Sequence, residues 1–402
     1  MNASTAGSGG QIVMAGAGYA GLHVALRLAS RLRHHTGLQL TLVDQHDYHQ
    51  VITEFPRVAG GTRDAGAVRI PLEELLADQV RFVQTEIRGF DLAGRRLLTR
   101  AGPIGWRWLV LALGSRPDDF AIPGLAQRAL SLYSAGDAER VWTAVSKALG
   151  AAASAADPER QRCLATVLVG GGGATGVELA GELAEMLPGA ASGRGLDPDR
   201  PVVRLVEAGP TILAGSSPQL IDKATRILAD LGVQVRTNAA IAAATDEGFR
   251  LKDGELVEGG VLVWAGGVKA PDLVAESGLP ADLHGRVKVD RCLRVPDHPE
   301  IYVAGDLASV TDPRTGHVLP PLAQIALEEG QTVARNLGAE LKGRSPEPFS
   351  FHGKGFVVSV GTCRGVADIA GVTTGGRLAH LLKDAIEWEY RQSVGHLHGW
   401  TR

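Results

Sequence analysis

Two short runs carry the residue types that hold a dinucleotide. "GAGYAG", residues 16–21, places Gly16, Gly18 and Gly21 in the pattern G-x-G-x-x-G, and "GGGATG", residues 171–176, repeats it with Gly171, Gly173 and Gly176. In such a turn the first glycine permits a tight reversal. The second lets the backbone approach a pyrophosphate, and the third lets a helix pack on a strand. The helix that follows offers free N–H groups and the positive end of its dipole to the phosphates. Each run is followed by an acid where ribose hydroxyls are read: Asp44 after the first, and Glu207 in "RLVEAG" after the second. A carboxylate there accepts from a 2′-hydroxyl and repels a 2′-phosphate, so the second site is expected to prefer NADH to NADPH. Arg204 is near in sequence but is expected to face another way along the strand.

Both turns need a strand before them and a helix after them. Residues 11–15 read as a strand, 18–32 as an amphipathic helix, and "LQLTLVDQ" as the strand that ends in Asp44. The second unit reads as a strand at 165–170, a helix at 175–187 and the strand "VVRLVEAG". "PGAASGRGLDPDRP" between them reads as a surface loop. "WRWLVLALGSRP" is a buried strand, 134–155 a helix, and "VQVRTN", "FRLKDGELVEGG" and "VLVWAGG" are short strands. "EIYVAGDLASV" is a strand with a Gly-Asp end, a helix follows at about 321–340, and the last fifty residues begin as strands and end as a helix.

The expected fold class is therefore α/β, with two Rossmann-like dinucleotide-binding domains and a short C-terminal α+β region. The domain of the first turn is expected to be discontinuous, 1–120 and 285–350, with the domain of the second turn at 121–284 and a tail at 351–402. Two such sites suggest two cofactors face to face, of which one can be a tightly bound flavin and the other a diffusing nicotinamide, with hydride passing between them.

Composition narrows the classes. The 402 residues are 45% apolar and 21% charged with a net charge of -3. That balance gives no sign of nucleic-acid binding and no strong pull towards an anionic membrane. Cys163, Cys292 and Cys363 lie far apart, without C-x-x-C or metal spacing, so they read as small structural residues in a reducing, cytoplasmic setting, and no metal site is expected. His46 and His49 in "DQHDYHQ" read as loop residues. "MNASTAGSGGQ" reads as a loose polar tail without the basic and apolar regions of a signal peptide. No apolar run reaches the roughly 18 residues of a membrane span.

From about residue 11 to 390 the chain resembles the two-dinucleotide-domain flavoprotein reductases, with a glutathione-reductase-like fold, on four motifs: "GAGYAG", "LVLALGSRP", "VGGGGATGVELAGE" and "IYVAGDLA". Within that group "DYHQVITEFPRVAGG", "VLVWAGGVKAP" and "PPLAQIALEEG" are similar to the type II NADH:quinone dehydrogenases. The resemblance implies that Gly16, Gly18, Tyr19, Ala20, Gly21 and Asp44 hold FAD, with Ala112, Gly114, Gly305, Asp306 and Ala323. It implies that Gly171, Gly173, Gly176, Glu207 and Gly266 hold NADH and that Glu178 stands near the nicotinamide.

The family's A-Q-x-A-x-Q run is matched by Ala323, Gln324 and Ala326, but Glu328 replaces its last glutamine. Gln324 is expected to bond flavin or acceptor. Glu328 reads either as a solvated acidic surface together with Glu329, or as a proton shuttle beside a quinone. The resemblance implies a ubiquinone or menaquinone acceptor and a peripheral membrane contact through a C-terminal helix. Here Leu378, Leu381, Leu382, Ala385 and Trp388 form one stripe that could equally be core or a homodimer seam.

No cysteine precedes Cys163, which argues against a disulfide reductase, and the second glycine turn argues against a sulfide:quinone oxidoreductase. A reductase of a soluble electron carrier, or a redox-gated binding protein, stays open on sequence alone.

Overall fold

Each glycine turn is fed by a buried apolar strand. β1 (Gln11–Ala15) runs into α1 (Tyr19–Arg31) and returns as β2 (Gln39–Asp44). The short α2 (Phe55–Ala59) follows, then β3 (Val80–Gln84) and β4 (Trp108–Leu111). The long α3 (Ala135–Ser154) leads to β5 (Thr166–Gly170), α4 (Ala174–Ser192), β6 (Val202–Val206), β7 (Gln234–Arg236) and β8 (Val261–Trp264). The chain then returns as β9 (His298–Val303) and α5 (Ala323–Glu340). It ends in β10 (Phe356–Ser359), β11 (Gly365–Ile369), β12 (Val372–Gly376) and α6 (Arg377–Gly399). This computed structural model describes residues 10–32 and 37–399. The polar segment at 1–9, expected to be a loose tail, lies outside the described residues.

Two parallel sheets organise the molecule. The first has the order β9-β4-β1-β2-β3, with the short Arg294–Val295 strand antiparallel on the β9 edge. The second has the order β8-β5-β6-β7, with Leu130–Ser131 beyond β8. In both, the strand that enters the glycine turn lies between neighbours reached in opposite directions. That is the switch point at whose carboxyl end ligands bind in open α/β sheets. The central strands are buried on both faces, as parallel sheets covered by helices must be: Ile12, Val13 and Met14 are fully buried, as are Leu168 and Val169.

α5 lies on α1 at very close range, because a Cβ at Gly330 would stand 2.6 Å from the Ala20 carbonyl oxygen. The two helices thus bring their N-termini to the same end of the first sheet.

Two expectations are corrected here. The loop expected after residue 187 is instead helical as far as Ser192, through Pro188. A proline forfeits one helix hydrogen bond, but Leu187 and Ala191 are buried on either side of it while Pro188 itself faces solvent. Packing of the last turn outweighs the lost bond, and water can serve the freed carbonyl. His49, read as a loop residue, is fully buried in the strand Tyr48–Gln50, which pairs antiparallel with Arg69–Pro71.

Candidate functional site

The two turns are built alike, residue for residue. Gly16 has φ +103° and Gly171 φ +109°, where a side chain would strike the Ala112 and Ala265 carbonyls respectively. A Cβ on Gly18 or on Gly173 would meet nothing within 4 Å, so at both positions the backbone lies open for a ligand. A Cβ on Gly21 would strike Gly16, and one on Gly176 would strike Gly171, so the third glycine lets each helix close on its own turn.

The acids hold the turns as well as facing them. The Ala17 N–H donates to Asp44 Oδ2 at 2.7 Å and the His46 N–H to Oδ1 at 2.8 Å. The Gly172 N–H donates to Glu207 Oε2 at 2.6 Å and the Gly209 N–H to Oε1 at 2.6 Å. A carboxylate has about four acceptor sites, so each acid keeps lone pairs for ribose hydroxyls. Burial raises the Asp44 carboxyl above the usual range, and the two N–H donors oppose that rise. Arg204 turns away, its Nε donating to Gln234 Oε1 at 2.9 Å, as expected.

A cleft of about 450 Å³ opens beside the second turn and the end of the first sheet. Thr175 comes to it from the second turn, Ser115 and Asp306 from the first sheet, Pro321 from the approach to α5, and Tyr133, Trp264 and Arg286 complete the wall. The Ser115 hydroxyl donates to Asp306 Oδ2 at 2.7 Å. Burial raises the Asp306 carboxyl, and the Ser115 bond and the Arg286 charge lower it. Gly266 stands against the Trp264 ring, and Gly114 takes φ +65° just before Ser115. Open backbone at Gly18 and Gly173 and acids with spare lone pairs fit a flavin dinucleotide at one turn and a nicotinamide dinucleotide at the other.

α5 begins at Ala323, after Pro320 and Pro321, with Leu322 as its cap residue. Gln324 Nε2 is buried and has no partner among the described residues, a donor left for a ligand. Glu328 is half-buried, its Oε2 accepting weakly from the His352 N–H at 3.4 Å. Glu329 does not join it on a solvated surface. It is 1% exposed, and its Oε2 accepts from the Gly305 N–H at 2.6 Å. Burial pushes its carboxyl well above the ordinary range. Spacing could have located it, since Glu329 falls on the stripe of Ile325, Ala326 and Val333, all buried.

Glu178 does not line the cleft between the turns. It faces the C-terminal region, where it pairs with Lys383 of α6 and accepts from the Ser359 N–H at 3.0 Å. The expected stripe on α6 is not core. Leu378, Leu381 and Trp388 are more than 60% exposed, and Ala385 is exposed as well. The buried face instead carries Ala379, Lys383, Glu387, Tyr390 and Val394. On that face Lys383 pairs with Glu178 and Glu387 lies 3.5 Å from Arg57, with Arg391 at its edge pairing with Glu54 at 2.8 Å, while Glu387 Oε1 has no hydrogen-bond partner among the described residues. Removing one member of such a buried pair typically costs about 3–5 kcal/mol. None of these partners was visible in the sequence, because a reading for apolar period passes over a charged buried face.

Four relationships bear on this geometry. The family model described as pyridine nucleotide-disulphide oxidoreductase matches residues 10–330. A type II NADH:quinone oxidoreductase of Staphylococcus aureus (strain NCTC 8325 / PS 47) is 31% identical over 381 residues, covering 94% of this chain and 94% of the relative. The solved structure of NDH2 from Plasmodium falciparum in complex with NADH is similar with a TM-score of 0.86 at 16% identity, covering 98% of this chain and 96% of that one. The sulfide:quinone oxidoreductase from Aquifex aeolicus has a TM-score of 0.78 at 19% identity, covering 96% and 92%. The two structures bear on fold alone.

Glu387 offers a pH test of this site. Burial raises its carboxyl to about 7, against the opposing pull of Lys383 and Arg57 and with the push of Glu54 and Glu178. A raised acid favours folding in its protonated form. That contribution is complete below the ordinary value of 4.5 and is lost as pH rises through about 7. Glu387→Gln, neutral throughout, is expected to gain in melting temperature on the parent as pH rises across that window. Parallel melting curves would contradict the assignment.

Proposed function

The chain belongs to the pyridine nucleotide-disulphide oxidoreductase family and, within it, to the type II NADH:quinone oxidoreductases, and from that premise we propose how its residues divide the work. It is an FAD-dependent NADH:quinone oxidoreductase. The observation that carries the reading is the pair of glycine turns with matching backbone geometry, each held by its own acid. When bound there, FAD supplies the two-electron carrier between NADH and a quinone.

The first turn, with Gly16, Gly18, Tyr19, Ala20, Gly21 and Asp44, takes the FAD pyrophosphate and ribose. Ala112, Gly114, Gly305 and Asp306 approach the same group along the edge of the first sheet. The second turn, with Gly171, Gly173, Gly176 and Glu207, orients NADH, and Gly266 leaves room for the Trp264 ring. Orientation of this kind is the protein's main contribution, because hydride transfer demands contact distance and alignment. No side-chain nucleophile is needed.

On the acceptor side, Ala323 and Gln324 start α5 with N–H groups and an amide donor where negative charge is stabilised. Glu328 on α5 adds a carboxyl group on that side, and the Glu178–Lys383 pair ties α4 to α6. Glu328 stands where the family has glutamine, and its carboxylate is the chain's own departure at the acceptor. The domain limits follow the same division: FAD on 1–120 and 285–350, NADH on 121–284, and the tail from 351 beside the acceptor.

We further propose a peripheral membrane contact through α6 on the cytoplasmic face, where NADH is available. No helix among the described residues is long and apolar enough to cross a membrane. The exposed Leu378, Leu381 and Trp388 share one face of α6 and make an apolar surface suited to lying in a lipid interface. This surface favours a quinone dissolved in lipid over a soluble electron carrier, which would call for a charged docking face.

Two measurements check these roles. Glu207→Gln keeps the size of the side chain but loses the charge and one acceptor oxygen. It is expected to raise the KM for NADH by about tenfold, the scale of one charge-assisted bond, and to narrow the preference over NADPH. An unchanged ratio would remove Glu207 from the nicotinamide site. Leu381→Ser with Trp388→Ser is expected to abolish flotation with anionic phospholipid vesicles while leaving turnover with a short-chain quinone intact. Unaltered flotation, or a dimer that falls apart in the variant, would assign the surface to something other than lipid.

A further inference from the structure

The residue between the first and second glycines of each turn is anchored at both its N–H and its carbonyl. In the second turn the Gly172 N–H is held by Glu207 at 2.6 Å, and the Gly172 carbonyl accepts from the Leu213 N–H at 2.8 Å. In the first turn the Ala17 N–H is held by Asp44 at 2.7 Å, and the Ala17 carbonyl accepts from His49 Nδ1 at 2.9 Å. The same peptide oxygen is thus tied down in both turns. The second turn uses a neighbouring backbone N–H, whereas the first uses a side chain.

The tautomer of His49 follows from its partners. A carbonyl oxygen only accepts, so Nδ1 carries the proton, and Nε2 is left as an acceptor. The Tyr390 hydroxyl lies 2.7 Å from Nε2 and therefore donates to it. His49 is fully buried, and burial lowers its imidazole to about 4, which keeps it neutral. Tyr390 is seated among aromatic rings, with Tyr19 at 4.8 Å and His23 stacked on it at 6.0 Å. It sits on the buried face of α6, the helix whose opposite face is the exposed apolar surface.

A planar trans peptide points its C=O and its next N–H in opposite directions. Holding the Ala17 oxygen against His49 therefore turns the Gly18 N–H away from His49, on the residue where a Cβ would meet only open space. That N–H is the one a pyrophosphate oxygen meets in such a turn.

We propose that Tyr390 and His49 are positioning residues for the FAD pyrophosphate turn, so that the seating of α6 sets how tightly FAD is held. The inference rests on the first turn being the FAD site. The link runs from the helix with the apolar outer face, through one hydroxyl and one imidazole, to a single peptide of the cofactor turn. An α6 lifted from its seat releases His49 Nε2, lets the imidazole change tautomer or turn, and frees the Ala17–Gly18 peptide to rotate.

The test uses the full-length holoprotein. Tyr390→Phe removes the hydroxyl and keeps the ring among Tyr19 and His23. It is expected to raise the dissociation constant for FAD about five- to tenfold, the scale of one buried hydrogen bond, measured from the fluorescence of flavin released on dilution. Val257→Ala, which loses packing in a separate core cluster that includes neither α6 nor the first turn, serves as the packing control. An unchanged FAD constant in Tyr390→Phe, or an equal rise in Val257→Ala at the same loss of melting temperature, would overturn the proposal. In the parent protein, ¹⁵N signals of the His49 ring are expected to show a protonated Nδ1 and a bare Nε2. The opposite tautomer would overturn it even if the variant failed to fold. A parent protein that binds no FAD would instead defeat the cofactor assignment beneath it.

Discussion

Everything in the site depends on a carboxylate that accepts hydrogen bonds from its own glycine turn. Asp44 holds the Ala17 N–H and Glu207 holds the Gly172 N–H, each at the end of the strand after the fingerprint helix. A glycine turn is conformationally loose by nature, and ordering it costs more backbone entropy than ordering any other residue type. The acid offsets that cost with charge-assisted bonds made before any ligand arrives. A cofactor then meets a turn already in shape, and the same carboxylate keeps lone pairs for the ribose.

The C-terminal helix couples this machinery to the surface. α6 is arranged against the usual habit, with lysine, glutamate and tyrosine turned inward and leucine, isoleucine and tryptophan turned outward. Its inward charges pair with Glu178 of α4, with Arg57 of α2 and with Glu54 beside it. One helix thereby ties together the nucleotide-bearing helix of the second sheet and the strand that carries His49. Such an arrangement is stable only while every inward charge is matched, because an unpaired buried ion is far more costly than an apolar side chain in the same place.

The glycine turns, their acids and the parallel strands that feed them could be read from the sequence, because each depends on local spacing that only one geometry satisfies. Arg204 was correctly set aside by strand alternation. The helix through Pro188 was not legible, since packing of Leu187 and Ala191 decides it rather than propensity. Lys383 and Tyr390 were missed for a shared reason. Each is a polar residue on a buried helical face, and its partner comes from a distant segment: Glu178 and His49. Apolar periodicity marks which face is buried only when that face is apolar. On α6 it marked the outer face instead.

The central claim is that two dinucleotide turns hold separate partners and that electrons leave by way of a quinone. Anaerobic rapid mixing tests it directly. NADH added to the yellow holoprotein is expected to bleach the flavin absorbance fast enough to support turnover, and a short-chain ubiquinone or menaquinone added next is expected to restore it at a comparable rate. Fast bleaching followed by no restoration with either quinone would contradict the account at its acceptor. Bleaching by NADPH as fast as by NADH would contradict it at Glu207.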